Sequence, residues 1–508
     1  MFREFTINSR QSKFCFMPLA LKPSASGKNR RVCLVSDCAA GLGTVKGMVT
    51  HLQADGWQIT VLDTSGPDQL NQNIAGVTYQ RLVGVYHETN WYPQMQSLTA
   101  YTWLRDHPFD LILFHQGFAS AFYSCMARHR GLAFAQTPIV IVAAEPHAYH
   151  LEKNQKFPEG RNAFESDFME RKSVTLADGL LAVSEEVGQW MKQTGWEFPA
   201  SAACLISKDE KKAKSWGTWL LKFVNKAKKQ KSKKTKPIFI SVCIATRNRA
   251  EWLRGALKSL EQQTHTHFEV IVVDDGSDDL AVTKLRDELT SSFKAKKWQW
   301  ITQKNAGPAG ARNHAAKMAR GDHLLFMDDD NVAYPDELER FAKAAAQGYD
   351  IITCILGLHS DSQLAFPPTA QLPDRQGRGA RPVGWTPIGG NVLLASFINV
   401  LGDTNSLFRR KVFEKLGGFS SGHDVVLEDF EFLTRALIAG YTIDVIPEVL
   451  ILYRRSQSSR SMGHDIFKGH INSLKPIAAL LPPALRPLLL SIRCEWYQRH
   501  CQRRDGKL

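Results

Sequence analysis

The stretch from His323 to Asn331, HLLFMDDDN, is an apolar run that stops at three consecutive carboxylates, Asp328, Asp329 and Asp330. Such a run reads as a strand buried on both faces whose carboxyl end opens towards solvent or a ligand. Three adjacent acids repel one another, and a bound divalent cation is the simplest compensation. Hard oxygen ligands suit Mn2+ or Mg2+, with phosphate oxygens completing the shell. A solvated acidic turn is the alternative reading.

Upstream, residues 268 to 277, FEVIVVDDGS, repeat the same form. Asp274 and Asp275 fall at the carboxyl end of a predicted parallel strand, where open α/β sheets bind ligands. There a carboxylate can accept from a base N–H or a ribose hydroxyl, and Gly276 lets the backbone turn close by. An Asx-type turn explains the same residues equally well. Between the two acidic strands, KNAGPAGARN (304 to 313) supplies a glycine-rich loop and then a helix carrying Arg312 and Asn313. Amide groups at a helix start, together with a guanidinium, favour a diphosphate. Downstream, LEDFEFLTRALI (427 to 438) puts Glu428 and Asp429 in the first turn of an amphipathic helix, a place where acids also serve as simple dipole partners.

In this order the motifs resemble the family-2 glycosyltransferases with the GT-A fold. The resemblance runs over residues 237 to 460, from TRNR (Thr246, Arg247, Asn248, Arg249) through DDGS, GARN, DDDN and LEDFEF to Tyr453, Arg454 and Arg455. It implies that the TRNR loop with Asp274 and Asp275 holds the nucleotide and that Arg312 and Asn313 lie beside it. It further implies that Asp328 meets the ribose or the metal shell, that Asp330 binds the metal, and that Asp429 is the general base, tuned by Glu428. An inverting transfer needs such a carboxylate to take the acceptor hydroxyl's proton, and a cation to neutralise the departing diphosphate. The chain departs from the family after YR, where Ser456 and Gln457 replace a histidine that can approach the metal. The Pro- and Gly-rich stretch 359 to 391, with Arg375, Arg378 and Arg381, reads as a donor-ordered lid or as a surface insertion.

The first half alternates buried strands with helical patterns: RVCLVSD, WQITVLD, FDLILFHQ, TPIVIVAA and GLLAVS predict a five-stranded parallel, doubly wound sheet over residues 29 to 205. Gly41, Gly43 and Gly47 miss the dinucleotide spacing, because Lys46 stands where the third glycine belongs. With EPHAYH (145 to 150) and FMERKSVTLADGLLAVSEEV (168 to 187), the segment instead resembles the N-terminal half of GT-B glycosyltransferases. Without its nucleotide-binding partner half, such a unit implies a binding or scaffolding module. His147 and His150 are either glycan contacts or structural histidines. The expected fold is thus α/β, with two Rossmann-like domains, between an arm at 1 to 28 and a basic tail at 461 to 508.

The 508 residues carry a formal charge of +14, but it is not spread evenly. Residues 206 to 236 hold 12 Lys against Asp209 and Glu210, and residues 454 to 508 hold 11 Lys and Arg against three acids. Together these exceed the total, so the remainder is mildly acidic and no nucleic-acid partner is expected. Trp216, Trp219, Leu220 and Phe223 form one helical face in the basic linker. That face either lies on an anionic membrane surface or closes the first domain. The 9 cysteines show no CxxC pair, which suits free thiols in a reducing compartment. No apolar run is long enough to span a bilayer. The expected partners are a nucleotide-sugar donor, UDP-linked by resemblance, and a glycan or lipid-linked acceptor. That chemistry implies a cytoplasmic site, with peripheral membrane contact an option. The competing classes are a non-catalytic glycan- or nucleotide-binding protein, and a nucleotidyl transferase, which would need acids for two metals.

Overall fold

The computed structural model describes residues 30–36, 42–64, 75–82, 93–115, 118–158, 160–204, 215–229, 237–360, 384–422, 426–455, 466–491 and 493. The first sheet has seven strands: β1 (Arg30–Ser36), β2 (Trp57–Asp63), β3 (Thr78–Arg81), β4 (Leu111–His115), β5 (Ile139–Ala143), β6 (Gly179–Ala182) and β7 (Ala202–Cys204). Their order is β3-β2-β1-β4-β5-β6-β7, and every pairing is parallel. This corrects the expected five strands. The two additional ones, β3 and β7, are short edge strands, where one unpaired side relaxes the demand for a continuous apolar run.

The basic helix Ser215–Lys229 packs on this sheet. Leu220, Phe223 and Val224 are buried in one cluster with Val32, Leu34, Val140 and Val142. The approach is so close that a Cβ at Gly179 would lie 2.7 Å from the Phe223 ring. The apolar face therefore closes the first sheet and is not free to lie on a membrane. Trp216's side chain, Gly41 of the glycine loop and residues 361–383 of the expected lid lie outside the described residues.

The second sheet comprises β8 (Ile240–Thr246), β9 (Phe268–Asp274), β10 (Gln299–Thr302), β11 (His323–Asp328), β12 (Val332–Ala333), β13 (Ile351–Ser360), β14 (Leu407–Arg409) and β15 (Ile443–Arg455). The order is β10-β9-β8-β11-β14-β13-β15-β12. Strands β10, β9, β8 and β11 are parallel, whereas β14 runs antiparallel to both β11 and β13. Register brings the motifs together: Thr246 pairs with Asp274 and Ala245 with Asp328, so three motif-bearing strands end at one level.

The two sheets share a core. Tyr101, Phe122, Tyr123 and Met126 of the first half cluster with Ile388, Leu394, Phe408, Phe432 and Val445 of the second. Fully buried Arg130 pairs with Asp444 and faces the Tyr349 ring at 4.5 Å. Tyr101 donates to Glu448 at 2.8 Å, and Glu448 also pairs with Arg340 at 3.0 Å. His147 is half-buried, its amide donating to Glu170 at 2.8 Å, and exposed His150 pairs with Glu145. The His150 ring is thus engaged within the first half.

Candidate active site

The strand order of the second sheet reverses between β8 and β11, and acids gather at the carboxyl ends of these strands. Thr246, the last residue of β8, donates its hydroxyl to Asp329 at 2.7 Å. Arg249 places one nitrogen 3.1 Å from Asp329 and 3.1 Å from Asp330. Asp329, which the motif leaves without a role, is therefore the strut that ties the TRNR loop to the acidic strand end. Asn248 sits in the left-handed region at φ +56°, and its side-chain oxygen accepts from the amides of Asp278 and Asp279 at 3.0 and 3.1 Å. Arg247 is exposed.

Asp274 accepts from the amide and hydroxyl of Ser277 at 3.0 and 2.6 Å, an Asx-type turn that shapes the loop. Asp275 accepts from Ala306 N–H at 2.8 Å and from Gln303 at 2.7 Å. Gly276 has φ +73°, and a Cβ there would meet Asn305 N at 3.0 Å. Both acids thus join the β9 turn together, and Asp275 also ties it to the 303–306 loop. Asn313 exchanges hydrogen bonds with the Phe419 backbone at 2.8 and 2.9 Å. Its amide holds the turn before the Glu428 helix.

Arg312 is the hinge of the site. One nitrogen donates to Asp328 at 2.6 Å and another to Glu428 at 2.7 Å, joining the β11 end to the helix Glu428–Ile438. Burial opposes its charge, but the Asp328 and Glu428 carboxylates outweigh burial and hold it above the usual arginine range. Asp429 follows Leu427, whose backbone is left-handed at φ +59°, an uncommon state for a branched residue. One Asp429 oxygen accepts from Phe430 N–H at 2.7 Å, the other from the Thr404 hydroxyl at 3.3 Å. Burial, then Glu428, raise Asp429 to about 6, against the Phe430 amide and Arg312, which favour its ionised form.

Sequence reasoning missed Asp403 and Thr404. Burial and the carboxylates of Asp429 and Asp328 push Asp403 well above the usual range. Asn405 fixes this loop, its amide donating to Asp403 at 3.0 Å and its side chain to buried Glu337 at 2.9 Å. Tyr453 is raised too, first by burial and then by Asp328, Asp403, Asp330 and Asp429. A lone Asp in a loop between strands carries no periodic or motif signal, so only the fold discloses it.

Six carboxylates, Asp328, Asp329, Asp330, Asp403, Glu428 and Asp429, face two guanidinium groups, Arg249 and Arg312. Burial, then Asp328 and Asp329, raise Asp330 to about 7. This excess of negative charge and its hard oxygen chemistry fit a divalent cation. Among the described residues no three His, Cys, Asp or Glu side chains converge closely enough to hold an ion alone. A shell built on Asp328 and Asp330 would therefore draw its remaining ligands from phosphate oxygens and water.

Residues 241–417 match the glycosyl transferase family 2 model, and residues 42–207 match the glycosyl transferase 4-like domain. An uncharacterized glycosyltransferase of Rickettsia conorii is 42% identical over 102 residues, 20% of this chain and 16% of that protein. An uncharacterized glycosyltransferase of Haemophilus influenzae is 28% identical over 204 residues, covering 39% of this chain and 62% of its own. The chain thus spans a minor part of the first of these relatives. Among solved structures, S. aureus TarS 1-349 in complex with UDP-GlcNAc is 19% identical, covering 52% of this chain and 72% of its own, at a TM-score of 0.37. The mannosyltransferase PcManGT from Pyrobaculum calidifontis, solved with GDP-Man and Mn2+, is 18% identical over 56% of this chain and 79% of its own, at a TM-score of 0.34. The chain thus joins, over residues 42–207 and 241–417, a glycosyl transferase 4-like domain to a family 2 glycosyl transferase domain of GT-A type.

Proposed function

We propose that the chain is an inverting, metal-dependent glycosyltransferase that moves a sugar from a UDP-linked donor to a glycan or lipid-linked acceptor. The observation that carries the reading is the placement of Asp429 at a helix start, across Arg312 from the Asp328 strand end. Asp429 takes the proton of the acceptor hydroxyl as that oxygen bonds to the anomeric carbon. The bond from that carbon to the diphosphate oxygen breaks, and its electron pair leaves with the nucleoside diphosphate. Thr404 and the Phe430 amide orient the Asp429 carboxylate, so the lone pair facing the acceptor is fixed before the reaction begins. Arg312 keeps Glu428 and Asp328 from repelling the base out of position. Mn2+ or Mg2+ held by Asp328 and Asp330 would supply positive charge against the departing diphosphate.

Donor placement falls to the TRNR loop and Asp275, with Arg247 an exposed member available to a bound nucleotide. The first domain acts as a scaffold docked on β15, and the isolated segment 29–205 transfers no sugar. The test is nucleoside diphosphate release across a panel of UDP- and GDP-sugars with Mn2+, followed by NMR of the product's anomeric configuration. Inversion of the donor configuration is the expected result. Retention, or metal-independent turnover, overturns the mechanism.

A further inference from the structure

The helix Ile466–Leu480 and the residues after it form a hairpin that is built into the enzyme on one side and open on the other. On the inner side Leu474, Ile477 and Leu489 are buried in the shared core. A side chain at Gly469 would come within 3.2 Å of Leu427, the left-handed residue preceding Glu428. Arg493, buried at the far end, donates to Ser396 O at 2.8 Å and lies 5.2 Å from the Phe430 ring. The hairpin is therefore fastened to the helix that begins with Glu428 and Asp429.

Its outer side has a different chemistry. Ile471 is 43% exposed, Leu480 60%, Leu485 47% and Leu488 58%. Pro482 and Pro483 follow the end of the helix at Leu480, and the chain turns through Pro483–Leu485 before resuming as a short helical stretch at 486–491. Exposed Lys475 and Arg486 lie among them, and residues 466–493 contain no Asp or Glu at all. Beyond, the sequence adds Arg499, Arg503, Arg504 and Lys507 against Glu495 and Asp505. Several large apolar side chains clustered on one open tip mark an interaction site, whereas scattered single ones do not. An exposed apolar segment that carries Lys475 and Arg486 and no acid of its own is complementary to an anionic bilayer, whose acyl boundary takes the leucines and whose phosphates take the cations. A protein partner would call for shape and paired polar groups; a surface of mixed Leu, Pro and Lys calls for neither.

We infer that the hairpin Ile466–Arg493 is a docking element for an anionic phospholipid surface, with Leu480, Leu485 and Leu488 entering the headgroup–acyl boundary. The same surface then lies at the end of the fold that carries the catalytic helix. Docking is independent of the transfer reaction and is measured without it.

The test is flotation of the full chain with vesicles of phosphatidylcholine alone or mixed with phosphatidylglycerol. Wild type floats with the anionic vesicles and not with phosphatidylcholine, and about 0.5 M salt releases it through screening. The variant L480S/L485S/L488S loses about tenfold or more of the bound fraction, and K475Q/R486Q loses less, because apolar insertion and charge act together. These side chains are exposed, and an unchanged thermal midpoint verifies that the variants fold. Equal flotation of wild type and L480S/L485S/L488S overturns the inference, since the lysines of residues 206–236 would then suffice. So does a wild-type dimer in light scattering that L480S/L485S/L488S converts to monomer, because a second copy would then cover the tip.

Discussion

The two sheets open in the same place and put opposite chemistry there. In the first, the order reverses between β1 and β4, and in the second between β8 and β11. At the first opening Ser36 lies 3.3 Å from His115 Nδ1, and burial lowers that histidine to about 4, so the pair is neutral at physiological pH. At the second, six carboxylates crowd two arginines. Architecture makes a crevice at each switch point, but the side chains at the strand ends decide what it does. The difference also shows in energetics. The first opening holds a neutral buried pair, whereas the second holds a carboxylate cluster whose members Asp330 and Asp429 are pushed up to about 7 and about 6.

The largest effect is expected from Asp330→Ala, which removes the less encumbered acid of the cluster. The change should lower kcat/KM by about 10^3-fold and abolish the Mn2+ dependence of donor binding in calorimetry. An undiminished metal response would relocate the cation. Next comes the joint between the sheets. Arg130→Leu leaves Asp444 buried without its counter-charge and should cost about 3–5 kcal/mol in urea unfolding, while pairing it with Asp444→Leu restores most of that. If Arg130→Leu alone is silent, the two halves are not one cooperative unit.

The pH response separates the openings further. Asp429, raised to about 6, must be ionised to act, so kcat should rise as pH increases through about 6 and then level. For stability the sign is reversed. Asp330 and Asp429 both bind protons more tightly folded than unfolded, so their stabilisation is present below about pH 4 and lost as pH rises through about 6 and 7. The metal-free protein should therefore show a lower urea midpoint at pH 8 than at pH 5, with Mn2+ restoring it. The smallest effect belongs to the first opening. His115→Asn should change transfer by less than about twofold, since fold alone does not confer function.

Much of this comparison was legible in the sequence. Strands β1, β2, β4, β5, β6, β8, β9 and β11 are near-continuous apolar runs, as burial on both faces requires. The acids at their ends stand out because they break those runs. The short edge strands β3 and β7 lack that signature, and the Trp219–Phe223 helical face has two physically equal destinations until Gly179 is seen beneath it. Asn313 looks like a ligand contact by position, but its role depends on where the Phe419 turn comes to rest. Asp403 and Thr404 enter the site from a loop far from every motif, and the Arg130–Asp444 pair joins residues more than three hundred positions apart. Such contacts are set by tertiary packing and leave no local pattern.

The central claim is that Asp429 is the base and that Arg312, Thr404 and Phe430 merely hold it. The most direct measurement compares wild type with Asp429→Asn in single-turnover transfer and in donor binding. We predict that transfer falls by about 10^2- to 10^4-fold, losing its rise near pH 6, while donor affinity stays within about threefold. Transfer by Asp429→Asn at the wild-type rate, or a loss explained wholly by weaker donor binding, would contradict it.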